Sequence, residues 1–295
     1  MIEIRHLSKK FGQRLAVDDL TLTVPAGEIF GLLGHNGAGK STTIGMILGQ
    51  VWATGGEVQV CGHDIERNRR RALQKVGAIF ESPVFYDYLS GWRNLEILSH
   101  YTGRCSANRI REVVAWVGLT GREQSAVKTY SHGMRARLAL AQALLPQPEL
   151  LILDEPADGL DPEGIHELRH TILRLRRELG LTILLSSHLL AEVEQLCTRI
   201  AVMNQGKKVF EGTLAETRRA GGWVRLRTGN FTQAASLLRE EGLIEQTRDD
   251  KYILPAAGVG AERIVERLVA RQQPVFEIAP EEATLENFYL SLMRK

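Results

Sequence analysis

Residues 34–42 read GHNGAGKST, a spacing of the form G-x-x-x-x-G-K-[ST] that suits the triphosphate of ATP. Gly34, Gly37 and Gly39 let the main chain wrap closely enough to aim its N–H groups at phosphate oxygens. His35, Asn36 and Ala38 complete the loop, and Thr42 follows in the helix that it opens. Lys40 supplies a cation for the β- and γ-phosphates, and the Ser41 hydroxyl is a ligand for Mg²⁺. The positive end of a helix starting near Ser41 points at the same place.

A second set follows 112 positions after the end of that loop, by the difference between 154 and 42. Residues 150–156, LLILDEP, are an apolar run ending in two acids. Asp154 at the strand end offers a carboxylate to the metal, and Glu155 can take a proton from an attacking water. Residues 181–188, LTILLSSH, are the next buried run, and His188 at its end falls on the same sheet edge as Glu155. A hydrogen bond from its imidazole to the γ-phosphate or to the water is the chemistry that this position allows.

These groups need a scaffold that brings several strand ends together. Residues 2–5 and 20–24 alternate apolar and polar positions, as half-buried strands do. Residues 29–34, IFGLLG, form a buried strand, and residues 41–50 have helical spacing at Ile44, Ile47 and Leu48. Residues 92–118 carry apolar ridges at Trp92, Leu95, Leu98, Val113, Val114 and Val117, and 134–145 is an amphipathic helix stopped by Pro146 and Pro148. Ile165, Leu168, Ile172 and Leu175 put a helix between the two late strands. Strands alternating with helices imply a mostly parallel α/β sheet.

Beyond residue 222 the pattern changes. Residues 224–227, 251–254 and 275–278 read as strands, and 231–242 and 261–272 as amphipathic helices, a β-α-β-α-β module. The expected division is 1–220 for the nucleotide domain and 222–295 for an accessory domain too small to be very stable alone.

The chain has 295 residues, 44% hydrophobic and 24% charged, enough to bury a sizeable core. With 37 basic and 35 acidic residues, its net charge of +2 argues against a nucleic-acid partner. Cys61, Cys105 and Cys197 have no metal-ligand spacing and read as reduced thiols. The N-terminal residues lack the apolar core of a signal peptide, and no apolar run is long enough to span a bilayer. Any membrane passage is therefore expected from another chain.

In this order the motifs resemble the ATP-binding-cassette (ABC) ATPases, a P-loop NTPase family. Residues 130–134, YSHGM, resemble the family's LSGGQ signature, with Ser131 and Gly133 matching and Tyr130, His132 and Met134 departing. The resemblance implies that Ser131, His132, Gly133 and Met134 face the nucleotide of a second copy, so that two cassettes sandwich two ATPs. Residues 157–161, ADGLD, resemble the loop that crosses this dimer, with Asp161 as its acid, and Phe11 falls where the family stacks an aromatic on adenine. Glu81, in VGAIFESP, stands where most cassettes carry a metal-contacting glutamine, and a glutamate there can also offer oxygen to Mg²⁺. Glu81, the adjoining aromatics Phe85, Tyr86, Tyr88 and Trp92, and the YSxGM signature resemble the bacitracin- and lantibiotic-resistance branch of exporter ATPases.

The resemblance implies an α/β fold with a helical subdomain inserted over about residues 84–145. It also implies a homodimer on the cytoplasmic face of the membrane, bound to a multi-span permease whose coupling helix meets the aromatics. It leaves the cargo open among a peptide antibiotic, a drug and a lipid. The alternative is a non-transport ABC ATPase of translation or DNA maintenance. Translation relatives usually carry two cassettes and the chromosome type a long inserted coiled coil, and neither occurs here. A metabolic P-loop kinase lacks the signature before LDEP. RNRRR (67–71) reads as a solvated face or a contact for acidic headgroups or a partner's acidic loop, and His35, His100 and His166 have no partners at metal spacing.

Overall fold

The computed structural model describes residues 1–80, 84–103, 105–219, 222–281 and 284–293. They divide into two compact units, Met1–Leu214 and Ala215–Lys295.

In the first unit, β1 (Ile2–Phe11) and β2 (Arg14–Val24) pair antiparallel across a two-residue turn. Both run several residues further than alternation alone suggests. Their inward positions Ile2, Ile4, Leu20, Leu22 and Val24 are fully buried, which fixes the register. β3 (Ile29–Leu33) is buried along its whole length and leads through the glycine loop into α1 (Lys40–Ile47). β4 (Gly55–Val60) and β5 (His63–Asp64) complete a small antiparallel sheet of order β2-β1-β4-β5, which the sequence periodicity did not reveal. α2 (Arg69–Ala72) takes part of the basic run, whose arginines are exposed as a solvated face would be.

The helical segment follows β6 (Val76–Ile79) and holds α3 (Gly91–Ser99), α4 (Ala107–Trp116) and α5 (His132–Leu144). Each of the three helices begins on a serine hydroxyl: Ser90, Ser106 and Ser131 accept from the N–H groups of Arg93, Arg109 and Met134. Leu95, Ile110, Val113, Val114 and Leu138 are buried between them.

The chain then returns to the main sheet with β7 (Leu150–Leu153), α6 (Pro162–Leu179), β8 (Thr182–Ser187), α7 (Leu190–Leu196), β9 (Arg199–Asn204) and β10 (Lys207–Thr213). The strand order is β10-β9-β3-β8-β7-β6, parallel except at the β9–β10 hairpin. β8 thus lies between β3 and β7, so the glycine loop, the Asp154–Glu155 pair and His188 all leave the sheet at one edge. α1 covers one face, its Ile44, Met46 and Ile47 packed with Phe30, Leu32, Ile152, Leu184 and Met203 in a single core.

α8 (Leu214–Arg219) spans the boundary between the units. The second unit has β11 (Val224–Thr228), α9 (Phe231–Glu240), β12 (Ile244–Arg248), β13 (Tyr252–Pro255), α10 (Ala261–Ala270), β14 (Val275–Pro280) and α11 (Leu285–Met293). Its antiparallel sheet has the order β12-β13-β11-β14. The expected β-α-β-α-β pattern therefore lacks one strand and one helix. Ile244–Arg248 contains a single inward apolar residue before Glu245, Gln246 and Arg248, too short an alternation to read, and pairing with β13 makes it a strand. Leu226, Ala234, Leu238, Ile253, Ile264 and Leu268 form this unit's own core.

Candidate active site

The phosphate loop is shaped by two glycines that tolerate no side chain. A Cβ on Gly34 would stand 2.6 Å from the Met203 carbonyl oxygen. Gly39 has φ +108°, and its Cβ would stand 2.6 Å from the Ala16 oxygen. At both positions the loop is packed directly against neighbouring main chain, which only glycine allows. The Ala38 amide closes on the His35 carbonyl at 3.1 Å, and the His35 ring reaches the Asn204 side chain at 3.1 Å. His35 is thereby tied to the end of β9, a supporting contact that its sequence position did not reveal.

Lys40 is only 5% exposed, and its ammonium donates to the Gly34 carbonyl at 2.8 Å. It also forms an ion pair with Glu155, 3.0 Å from Oε1. The other Glu155 oxygen meets His188 Nδ1 at 2.8 Å and accepts from the His188 main-chain N–H at 3.2 Å. Burial pushes the Glu155 carboxyl up, but Lys40 and His188 together outweigh it and hold the group below the usual carboxylate range. Glu155 is therefore an anion at neutral pH.

Glu155 also has φ +47°, a left-handed conformation that costs a glutamate about 1–3 kcal/mol. The strain turns its side chain out of the strand direction toward Lys40. Ser186, fully buried on β8, holds this turn from below. Its hydroxyl accepts from the Glu155 N–H at 2.9 Å and donates to Asp154 Oδ1 at 2.5 Å. Sequence reasoning missed Ser186. The signal was two serines ending an otherwise apolar buried strand.

Phe11, Lys40, Ser41, Thr42 and Glu155 line one cleft of about 530 Å³, with Asn36, Gly37 and Gly39 at its floor. Phe11 is 50% exposed there, so it is not a core residue, and its ring can stack on a flat ligand with the face that Lys9 does not take. A second cleft of about 440 Å³ is lined by Ser41, Asp154 and Glu155 together with His132 and Arg135 of α5. Ser41 and Asp154 thus line the same cleft. A hydroxyl and a buried carboxylate are both hard-oxygen donors, which fit Mg²⁺.

Ser131 is the N-cap of α5, with His132, Gly133 and Met134 in the first turn. Ser131 and His132 are exposed, whereas Tyr130 is buried with its hydroxyl donating to the Arg122 carbonyl. The departure at Tyr130 is therefore a packing change, not a change in the exposed turn. Asp161 caps α6 by accepting from the Gly164 N–H at 2.9 Å. Gly133 and Gly164 face each other across the two helix starts, with a Cβ on Gly133 falling 3.7 Å from the Gly164 Cα. Glu81 lies outside the described residues. Of the aromatics that follow it, Phe85 is buried, Tyr86 and Tyr88 are exposed and meet edge to face, and Trp92 lies beside the Arg111 guanidinium.

Residues 17–158 match the family described as ABC transporter. A relative from Bacillus subtilis (strain 168), the uncharacterized ABC transporter ATP-binding protein YhcH, is 39% identical over 99% of this chain and 95% of its own. This chain belongs to the ABC transporter ATP-binding proteins. The bacitracin transport ATP-binding protein BcrA of Bacillus licheniformis is 35% identical, covering 99% of this chain and 97% of its own length. The lantibiotic transport ATP-binding protein SrtF of Streptococcus pyogenes is 39% identical over 72% of this chain and 90% of its own.

Among solved structures, an ATP-binding subunit of an ABC transporter superposes with TM-score 0.65 at 30% identity, covering 75% of this cassette chain and 92% of its own. The ADP- and phosphate-bound dimeric cassette MJ0796, at 23% identity and TM-score 0.65, shares the fold. ABC ATP-binding subunits are ATPases that work with transmembrane components, which favours transport over a translation or DNA role for this cassette. Among the described residues no helix is long and apolar enough to cross a membrane.

Proposed function

We propose that this cassette hydrolyses ATP with Glu155 as general base and drives export of a peptide antibiotic or similar amphipathic compound through a separate multi-span permease. The observation that carries the hydrolytic part is Glu155 held between Lys40 and His188, 3.0 Å from one and 2.8 Å from the other. The cargo class rests on the names of BcrA and SrtF, the first of which matches across nearly the whole chain.

Nucleotide binding changes the base. Lys40 now divides its charge between the Gly34 carbonyl and Glu155. A triphosphate in the loop draws that charge away, which removes one of the contacts that lower the Glu155 carboxyl. Its affinity for a proton then rises toward the ordinary carboxylate value, and it becomes a better acceptor for the proton of the attacking water. His188 keeps the carboxylate oriented and places its ring beside the terminal phosphate. Ser41, Asp154 and Glu81 are the residues that would hold Mg²⁺, which would supply charge neutralisation of the phosphates. The main-chain N–H groups of residues 36–42 hold the phosphates in line with the water, so most of the catalysis is positioning and electrostatics.

The signature turn Ser131–Met134, with Ser131 and His132 exposed, opens a different helix from the one that the phosphate loop opens. This supports a homodimer in which each signature closes the partner's site, with Asp161 in the loop between them. The exposed Tyr86 and Tyr88 suit contact with a permease at the cytoplasmic face of the membrane.

The test uses the purified cassette with its permease in vesicles. Glu155→Gln should retain ATP binding, lose turnover and accumulate a dimer in ATP. Normal turnover in this variant would remove Glu155 from the base role. A wild-type complex that fails to protect cells from, or transport, any peptide antibiotic would remove the cargo class while leaving the ATPase reading intact.

A further inference from the structure

The tip of the β1–β2 hairpin carries a cation that the phosphate-loop motif does not include. Phe11 and Arg14 are register partners across the turn made by Gly12 and Gln13, with Gly12 at φ +57°. Residues paired in this way put their side chains on one face of the ladder. Both line the cleft that contains Lys40 and Ser41. The Arg14 guanidinium lies against the phosphate loop, Nη2 being 3.5 Å from where a Cβ on Gly37 would stand.

Arg14 is exposed and makes no hydrogen bond or ion pair among the described residues. The other cation beside Phe11 is already engaged. Lys9 sits over the Phe11 ring, 4.8 Å from its centroid, and donates to the Trp52 carbonyl at 2.6 Å. One cation thus lies over one face of the ring and the other is uncommitted at the cleft.

We propose that Arg14 is a nucleotide ligand that grips the α-phosphate from the hairpin side. The inference rests on the reading of this cleft as the ATP site. A nucleotide with its base on Phe11 and its terminal phosphates at Lys40 carries the ribose and α-phosphate past the middle of the cleft. Arg14 lines that same cleft, against Gly37 of the phosphate loop. A planar guanidinium presents two parallel N–H donors to a phosphate, which an ammonium cannot do. The hairpin would then recognise base and phosphate together and set their separation.

Arg14→Ala and Arg14→Lys are the variants, read by equilibrium binding of fluorescent ADP and ATP to the full chain, with Lys40→Ala as the control. Arg14→Ala should weaken ADP and ATP equally, by roughly tenfold, as expected for one lost charge-assisted contact. Arg14→Lys should recover part of that loss. In turnover assays KM should rise while kcat stays near wild type, because the α-phosphate contact is the same before and during the reaction. Affinities of Arg14→Ala within about twofold of wild type would overturn the inference, since an unmade contact costs nothing. A loss confined to ATP would overturn it too, because it puts the contact at the γ-phosphate. If Lys40→Ala also binds normally, the nucleotide reading of the cleft fails instead, and the two failures are separate.

Discussion

The ammonium of Lys40 stands 3.0 Å from the carboxylate of Glu155, across two strands that the sequence separates by more than a hundred residues. The phosphate-binding cation and the candidate base are therefore in direct competition with the ligand. Each is stabilised by the other until phosphate takes the cation.

Replacing Glu155 by glutamine keeps the shape and removes the proton acceptor. The steady-state ATPase rate of Glu155→Gln should fall by about 10²–10⁴-fold, the range for loss of a positioned base. ATP affinity should hold or improve, because Lys40 no longer has an anion to leave. A binding titration alongside the rate separates these effects.

Lys40→Ala acts on both partners at once. ATP binding should be lost or reduced by at least about tenfold, since a charge-assisted contact contributes about 1.5–3 kcal/mol. In the same variant the Glu155 carboxyl should titrate at higher pH, having lost one of the contacts that lower it. NMR of a labelled Glu155 carboxyl would show an unchanged titration if the pairing were unimportant.

The depressed Glu155 carboxyl also sets a pH dependence of stability. A group with a lowered folded-state pKa contributes stability above its unfolded pKa and loses it as pH falls through the folded value. The difference in urea midpoint between wild type and Glu155→Gln should therefore be greatest near neutrality. It should shrink on acidification below about pH 4, the range of an ordinary carboxylate. A gap that stays constant down to the acid unfolding limit contradicts the assignment.

Ser186→Ala should cost about 1–3 kcal/mol of stability, because it leaves the part-buried Glu155 N–H and the buried Asp154 Oδ1 without their partner. The strained φ of Glu155 would relax as well, so kcat should drop more than nucleotide affinity. Chemical denaturation and ATP titration of one preparation measure both.

Asn94 predicts a different kind of effect. Fully buried on α3, it accepts from the Tyr86 N–H at 2.8 Å and donates to the Tyr86 and Ser90 carbonyls. The same stretch hydrogen-bonds through Asp87 and Leu89 to Lys128 and Val127, close before Ser131. Asn94→Ala should lower stability by roughly 2 kcal/mol or more. It should also loosen coupling between the exposed tyrosines and the signature turn. Permease-stimulated ATPase activity should fall further than the activity of the isolated chain. Equal losses in both assays would assign Asn94 to folding alone.

What the sequence by itself determined was chemistry tied to short spacing. GHNGAGKST, LLILDEP and the terminal histidine of LTILLSSH each lie within one strand-and-turn unit, so type and order suffice to name them. The main α/β sheet was legible for the same reason, since buried parallel strands are continuous apolar runs. Tertiary structure alone decided which strand ends are neighbours. β8 inserts between β3 and β7, and only that order brings Lys40, Glu155, His188 and Ser186 together. The extension of β1 and β2 to the turn that holds Phe11 and Arg14, the strand Ile244–Arg248 and the clamp at Asn94 were invisible for a shared reason. They depend on pairing between distant segments, and a polar residue satisfied by such a partner looks the same in sequence as one exposed to water.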